Sequence, residues 1–443
     1  MVNILEVVTD ESLRKENWWG KNYVCQINNF WFLPKFVPST IRVLNEFKPL
    51  PNDVILASFP KTGTTWLKSL VFSIINRSSK ESSLLVKHNA HDLVPTLEVQ
   101  VFGTTRQYLD NESHHSSTRL YSTHIPYQLL RKTFDSSNCR VVYITRNPKD
   151  TLVSMWHFTN KWKAVDQDGP WHIEEAIEKF CSGVFPGGPY YDHVMGFKNA
   201  SLEKPKNIFL ITYEELIKDT KIHVKRLAEF LGFPFMNHEE EEVDEIVKNC
   251  SFDILSSYAV NKSEDFPSWF QVPYNSFFRQ GVVGDYKNYL DAKTIERIDA
   301  LTRDKFHGAD FITIRVLNEF KPLLNDVILA SFPKTGTTWL KPLVFSIVNR
   351  SSKESSLLVK HNPHDLVPTL EVQVFGITRE YLDHESHHSS TRLYSIHIPY
   401  QLLRKTFDSS NCRVVYITRN PKDTLVSIWH FTNKWKAVDQ DGP

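Results

Sequence analysis

Short apolar runs in the front part of the chain alternate with stretches whose apolar side chains recur every three or four positions. DVILASF, residues 53–59, has the length of one buried strand; past the loop PKTGTT, Trp66, Leu67, Leu70, Val71, Ile74 and Ile75 keep helical spacing. The succession returns at CRVVYITR followed by NPKDTLVSMWHF, and at NIFLITYEEL followed by DTKIHVKRLAEFLG, where Gly232 is placed to stop the helix. Strands alternating with helices predict an α/β fold, a central parallel sheet flanked by helices. Ligands in such folds sit beyond the carboxyl ends of the strands.

The chain also repeats itself. Residues 40–170 align without a gap to residues 313–443 at an offset of 273, and about nine of some 130 positions differ. A period this long is not that of a solenoid. It predicts a complete unit over residues 1–312, followed by residues 313–443 as a truncated second copy of its N-terminal half, a partial tandem duplication. No Gly/Ser linker is expected, since GADFITIRVL runs through the join.

Composition narrows the function classes. With 41% hydrophobic and 13% aromatic residues, the 443-residue chain is globular rather than disordered. The 52 basic and 51 acidic side chains nearly cancel, which leaves no overall field for a nucleic acid or an anionic membrane. Anion binding must therefore be local. No apolar run approaches the ~20 residues of a membrane span, and MVNILEVVTDESLRKENWWG lacks the core of a signal peptide, so a cytoplasmic protein is expected. Five cysteines, Cys25, Cys139, Cys181, Cys250 and Cys412, are odd in number and show no metal-ligand spacing; free thiols and no metal are expected.

The loop FPKTGTTW carries the candidate chemistry. A glycine-containing turn opening a helix gathers backbone N–H groups and the positive end of the helix dipole, which suits an anion. Lys61 adds charge, Gly63 allows close approach, and Thr64 and Thr65 offer hydroxyls. Lysine precedes the glycine, unlike in G-x-x-x-x-G-K-[ST], so an ordinary nucleoside-triphosphate loop is not expected. The alternative is a capped turn with an exposed lysine.

PKTGTTW resembles the phosphosulfate-binding loop of the cytosolic sulfotransferases, and LASFPKTGTTWLK is most similar to plant members. The resemblance implies one α/β domain transferring a sulfuryl group from 3′-phosphoadenosine-5′-phosphosulfate (PAPS) to the hydroxyl of a small acceptor such as a flavonoid, phenol, steroid or hydroxyacid. It implies that Lys61, Thr62, Gly63, Thr64 and Thr65 hold the 5′-phosphosulfate, with Trp66 near the adenine. Arg146 and Ser154 in TRNPKDTLVS are implied for the 3′-phosphate; by its residue type alone, Arg146 could equally be a surface ion-pair residue. Tyr213, Ser251 and Phe252 match adenine contacts, against the alternative of plain core. FFRQGVVGDYK resembles the segment closing over the 3′-phosphate; Arg279 and Gly281 match it, whereas Gln280 stands for the usual lysine and Tyr286 for the usual tryptophan.

By the same resemblance His124, flanked by Thr123 and Pro126, is the catalytic base, with an imidazole expected near its ordinary pKa of about 6.5. Lys61 would neutralise charge on the leaving phosphate. Ser122 stands where many animal members have lysine. Phe158, with Phe30 or Trp31, is expected to wall the acceptor pocket. Lys334, His397, Arg419 and Ser427 repeat Lys61, His124, Arg146 and Ser154, but Pro342 replaces Ser69 and Ile396 replaces Thr123. The second copy is therefore expected to be catalytically silent, with an exposed sheet edge. Two alternatives stay open: a nucleotide kinase, and an impaired paralogue that binds adenosine bisphosphate without turnover. A circularly permuted pairing of the second copy with the first unit's back half is a further possibility.

Overall fold

A computed structural model describes residues 13–77, 84–103, 118–162, 169–236, 239–306, 316, 320–350, 357–374, 391–408, 410 and 412–438. The chain divides into two compact units, residues 1–307 and 308–443. The expected boundary between residues 312 and 313 lies outside the described residues, as does the start of the chain.

In the first unit, a small antiparallel sheet formed by β1 (Lys15–Trp19), β2 (Asn22–Ile27) and β3 (Phe30–Phe32) precedes the main fold. It went unread in the sequence because its strands are short and its second turn is made by two asparagines at positive φ, Asn28 at 46° and Asn29 at 70°, rather than by glycine. The main sheet is formed by β4 (Val54–Ser58), β5 (Leu120–Thr123), β6 (Arg140–Thr145) and β7 (Ile208–Thr212), in the order β5-β4-β6-β7. All three pairings are parallel, with Val54 opposite both Leu120 and Arg140, and Val141 opposite Ile208. β4 is central and wholly buried, as its unbroken apolar run requires.

Helices cover the sheet. α1 (Val37–Glu46) precedes β4, α2 (Thr64–Asn76) follows it, and α3 (Ala90–Leu93) is a single turn before β5. α4 (Tyr127–Asp135) follows β5, and α5 (Pro148–Thr159) follows β6 with Pro148 at its first turn and the Asn147 side chain accepting from Lys149 N–H. Thr212 and Glu215 form a capping box for the helix Tyr213–Lys218. The next helix, Thr220–Leu231, ends at Gly232 in the left-handed region. Leu67, Leu70 and Ile74 of α2 pack with Val142, Ile144, Val224 and Leu227 in one buried cluster.

The second unit has its own three-stranded parallel sheet, β8 (Val327–Ser331), β9 (Leu393–Ile396) and β10 (Arg413–Ile417), in the order β10-β8-β9. The helix Thr337–Val348 runs through Pro342. Among the described residues no helix is long and apolar enough to cross a membrane, and all five cysteines are free thiols.

Candidate active site

Each strand of the main sheet delivers a candidate residue at its carboxyl end. β4 ends at Ser58, just before the turn carrying Lys61; His124, Arg146 and Tyr213 immediately follow β5, β6 and β7. All four residues line one cavity of about 870 Å³. The loop's shape requires unusual backbone: Lys61 has φ 70° and Gly63 φ 111°. A Cβ on Gly63 would also fall 2.7 Å from the Tyr213 ring, so only glycine fits there. Thr62, Thr64 and Thr65 divide the work. The Thr62 hydroxyl is buried and donates to Phe59 O at 2.8 Å and Ile144 O at 3.0 Å, tying the loop to the sheet, while Thr64 and Thr65 line the cavity.

Lys61, Arg146 and Arg279 act on one another at this cavity, which Lys161 also lines. Burial first, then the charges of Arg279 and Arg146, pull the Lys61 ammonium down to about 7. Lys61 Nζ sits 3.8 Å above the Phe158 ring centroid. Arg146 is buried, stacks 4.6 Å over Tyr213 and donates from Nη2 to Val282 O at 2.7 Å, yet its Nε has no partner. Arg279 pairs with Asp285 at 2.5 Å. Asp150 accepts from the backbone N–H of Gly284 and Tyr286, so the 279–286 segment is pinned against α5. Gln280 and Ser154 also line the cavity. Gly281, at φ 68°, lies where a Cβ would strike Phe252 at 2.5 Å. Trp66 donates its indole N–H to Cys250 O at 2.8 Å and lies edge-on to Tyr213, forming with Ser251 and Phe252 an apolar-walled end of the cavity.

His124 is held in one tautomer. Its Nδ1 lies 2.8 Å from Ser58 O and donates to it, which leaves the Nε2 lone pair for other use. The Glu98 carboxylate anchors the same turn by accepting from His124 N–H at 2.7 Å and from the Thr123 hydroxyl at 2.9 Å. The expected ordinary pKa is corrected: burial lowers the imidazole to about 4, with the hydrogen bond to Ser58 opposing the shift.

The opposite end of the cavity is aromatic. Phe158 lines it, but Phe30 and Trp31 do not; Phe32, the last residue of β3, and Phe36 line it instead. Phe270 stacks on Phe36 at 6.0 Å and on Phe158 at 6.1 Å, and Phe277 and Trp269 complete the surface.

The profile of the Sulfotransferase domain family matches residues 51–310 and again residues 324–442. The chain belongs to the sulfotransferase family. Cytosolic sulfotransferase 17 of Arabidopsis thaliana is 41% identical over 309 residues, covering 68% of this sulfotransferase and 87% of the relative. A flavonol sulfotransferase-like protein of Flaveria bidentis is 40% identical over 301 residues, covering 66% and 95% respectively. Mouse sulfotransferase SULT7A1, solved in complex with PAP, superimposes with a TM-score of 0.52 at 25% identity over 65% of this chain and 95% of its own. A nucleotide kinase is thereby set aside.

This sulfotransferase has further polar residues at the cavity that motif reading missed: His91 on α3 and Glu98. Beneath them lies fully buried Lys68. α3 is four residues long and too short to carry a periodic signal, and Lys68 sits in α2 among apolar neighbours with nothing local to mark it. Among the described residues, no group of three or more His, Cys, Asp or Glu side chains is arranged to hold a metal ion.

The second unit repeats the loop geometry. Lys334 has φ 66° and Gly336 φ 117°, and His397 Nδ1 lies 2.8 Å from Ser331 O. Its surroundings differ: Trp339 is 84% exposed, Arg419 is exposed, and burial lowers Lys334 from the ordinary ammonium range.

Proposed function

We propose that the first unit transfers a sulfuryl group from PAPS to a hydroxyl of a small acceptor, and that residues 313–443 are a duplicate of residues 40–170 that takes no part in turnover. The observation that carries the reading is the convergence of Lys61, Arg146 and Arg279 on one cavity. Cations held this close in a partly apolar site repel one another, and Arg146 Nε is a buried donor without a partner. A doubly phosphorylated nucleotide relieves both. The PAP bound to the mouse relative supports the same donor.

PAPS supplies the activated sulfuryl group. The loop from Lys61 to Thr65 holds its 5′ end, with Lys61 offsetting charge left on the phosphate oxygen as the sulfuryl group departs. Arg146, Ser154, Arg279, Gln280 and Gly281 hold the 3′-phosphate, and Trp66, Tyr213, Ser251 and Phe252 enclose the adenine. His124 Nε2, its lone pair fixed by the bond from Nδ1 to Ser58 O, takes the acceptor hydroxyl's proton. The stacked wall of Phe36, Phe270 and Phe158 favours a flat aromatic or polycyclic acceptor, and the flavonol-named relative points the same way.

Incubation with 35S-labelled PAPS and a panel of flavonols, simple phenols, hydroxysteroids and hydroxyacids tests the reading; a labelled product from a flavonol or phenol is expected. Gln280, a neutral side chain on the cationic wall, favours the one alternative worth testing, an impaired paralogue. PAP binding without labelled product from any acceptor would establish it.

A further inference from the structure

His91 and Lys68 have no part in the reading above, yet both are joined to its loop. Lys68 is fully buried; its Nζ lies 3.0 Å from His91 Nδ1 and 3.2 Å from Thr96 Oγ1, and Thr96 is bonded in turn to Ser122 at 2.9 Å. On the other side of the imidazole, His91 Nε2 lies 2.9 Å from Thr65 Oγ1. Backbone contacts hold the ring in place: His91 N–H donates to Asn89 Oδ1, and Gln100 Nε2 donates to His91 O.

Donor and acceptor counting fixes the direction of this chain. Burial lowers the Lys68 ammonium to about 7, against the opposing charges of Glu98 and Asp92; in its charged form it has hydrogens and no lone pair, so Lys68 donates and His91 Nδ1 accepts. Burial and the neighbouring lysines hold His91 neutral, with a pKa well below the ordinary imidazole range, so its single proton lies on Nε2 and is donated to Thr65 Oγ1. The hydroxyl oxygen of Thr65 is then engaged as an acceptor, and its own hydrogen is free to turn into the cavity that Thr65 lines.

We propose that Lys68 and His91 are positioning residues, a buried relay that orients the Thr65 hydroxyl as a hydrogen-bond donor to the anionic group of the sulfuryl donor. The inference rests on the reading that the Lys61–Thr65 loop holds that donor. Lys341, His364 and Thr338 repeat the three residues in the second unit, where the lysine–imidazole contact is 2.9 Å but the imidazole–threonine contact is 3.4 Å. The relay is therefore less closed there.

The test is a double-mutant cycle on the full chain, with PAP affinity measured by titration calorimetry. His91→Ala and Thr65→Val should each weaken PAP binding by about tenfold to a hundredfold, the range for a lost hydrogen bond to a charged group. Because His91 acts through Thr65, His91→Ala added to Thr65→Val should cost less than about twofold more. Thr65→Ser, which keeps the hydroxyl, should recover most of the affinity that Thr65→Val loses. If His91→Ala is unfolded by its melting temperature, Lys68→Met takes its place in the cycle. Equal losses from the relay variant whether Thr65 is intact or already replaced by valine would overturn the relay. Failure of the unaltered chain to bind PAP would instead remove the donor-binding reading, and the relay with it.

Discussion

The loops Phe59–Trp66 and Phe332–Trp339 have the same eight residues and nearly the same backbone, down to lysines at φ 70° and 66°, but they are different chemical objects. In the first unit, burial and two arginines bring Lys61 to about 7, and Trp66 is tied to Cys250 and packed on Tyr213. In the second, Trp339 stands in solvent, and β10 is largely exposed where its counterpart β6 is buried. Local sequence dictates the turn; the surrounding elements decide whether it faces a cationic, enclosed cavity. The same lesson holds after β6 and β10. PKDTLVS and the residues beyond form a 12-residue helix in the first unit, where Asn160 and Trp156 bond to the Trp171 backbone. In the second unit nearly the same sequence continues as an 18-residue helix.

Removing the proposed base should separate the units most widely. His124→Ala is expected to lower kcat/KM by about 10²- to 10⁴-fold, whereas His397→Ala should leave it unchanged, both read with the labelled-product assay. A comparable loss from His397→Ala would make the two units equals.

Exchanging the residue at the loop helix comes next. Pro342 removes a backbone donor inside the helix Thr337–Val348. Pro342→Ser should therefore stabilise the second unit, and Ser69→Pro should destabilise the first, by about 3 kcal/mol each. Denaturant unfolding followed by proteolytic mapping of the two units would reveal no change if the helices tolerated proline equally.

The pH dependence follows from the two shifted groups. With His124 at about 4, its neutral form already dominates above pH 5, so the acid limb of kcat/KM should fall near pH 4 rather than 6.5. With Lys61 at about 7, the charged form that favours an anion is lost as pH rises, so PAP affinity should weaken through about pH 7. Lys61→Arg should abolish that step; its persistence would assign it to another group. The smallest effect is expected from Gln280→Lys, which should tighten PAP binding about threefold to tenfold if residue 280 faces the 3′-phosphate.

Much of the cavity's lining was legible in the sequence because the fold repeats one rule: a short apolar run ends, and the next residues face the cavity. Lys61, His124, Arg146 and Tyr213 all obey it. The aromatic wall obeys no such rule. Trp269, Phe270 and Phe277 lie in a segment without periodicity, and of the aromatic residues in NNFWFLPKF it is Phe32 and Phe36, not Phe30 or Trp31, that line the cavity, a choice set by where β3 ends rather than by residue type. His91 and Lys68 were hidden for a different reason. Their meaning lies in contacts between residues 23 positions apart.

The central claim is that only the first of the two loops is a donor site. Calorimetric titration of the full chain with PAP tests it directly, through the stoichiometry in the unaltered protein and in Lys61→Ala and Lys334→Ala. The account predicts one PAP per chain, strong weakening in Lys61→Ala and no change in Lys334→Ala. Two PAP per chain, or binding that survives Lys61→Ala and is lost in Lys334→Ala, would contradict it.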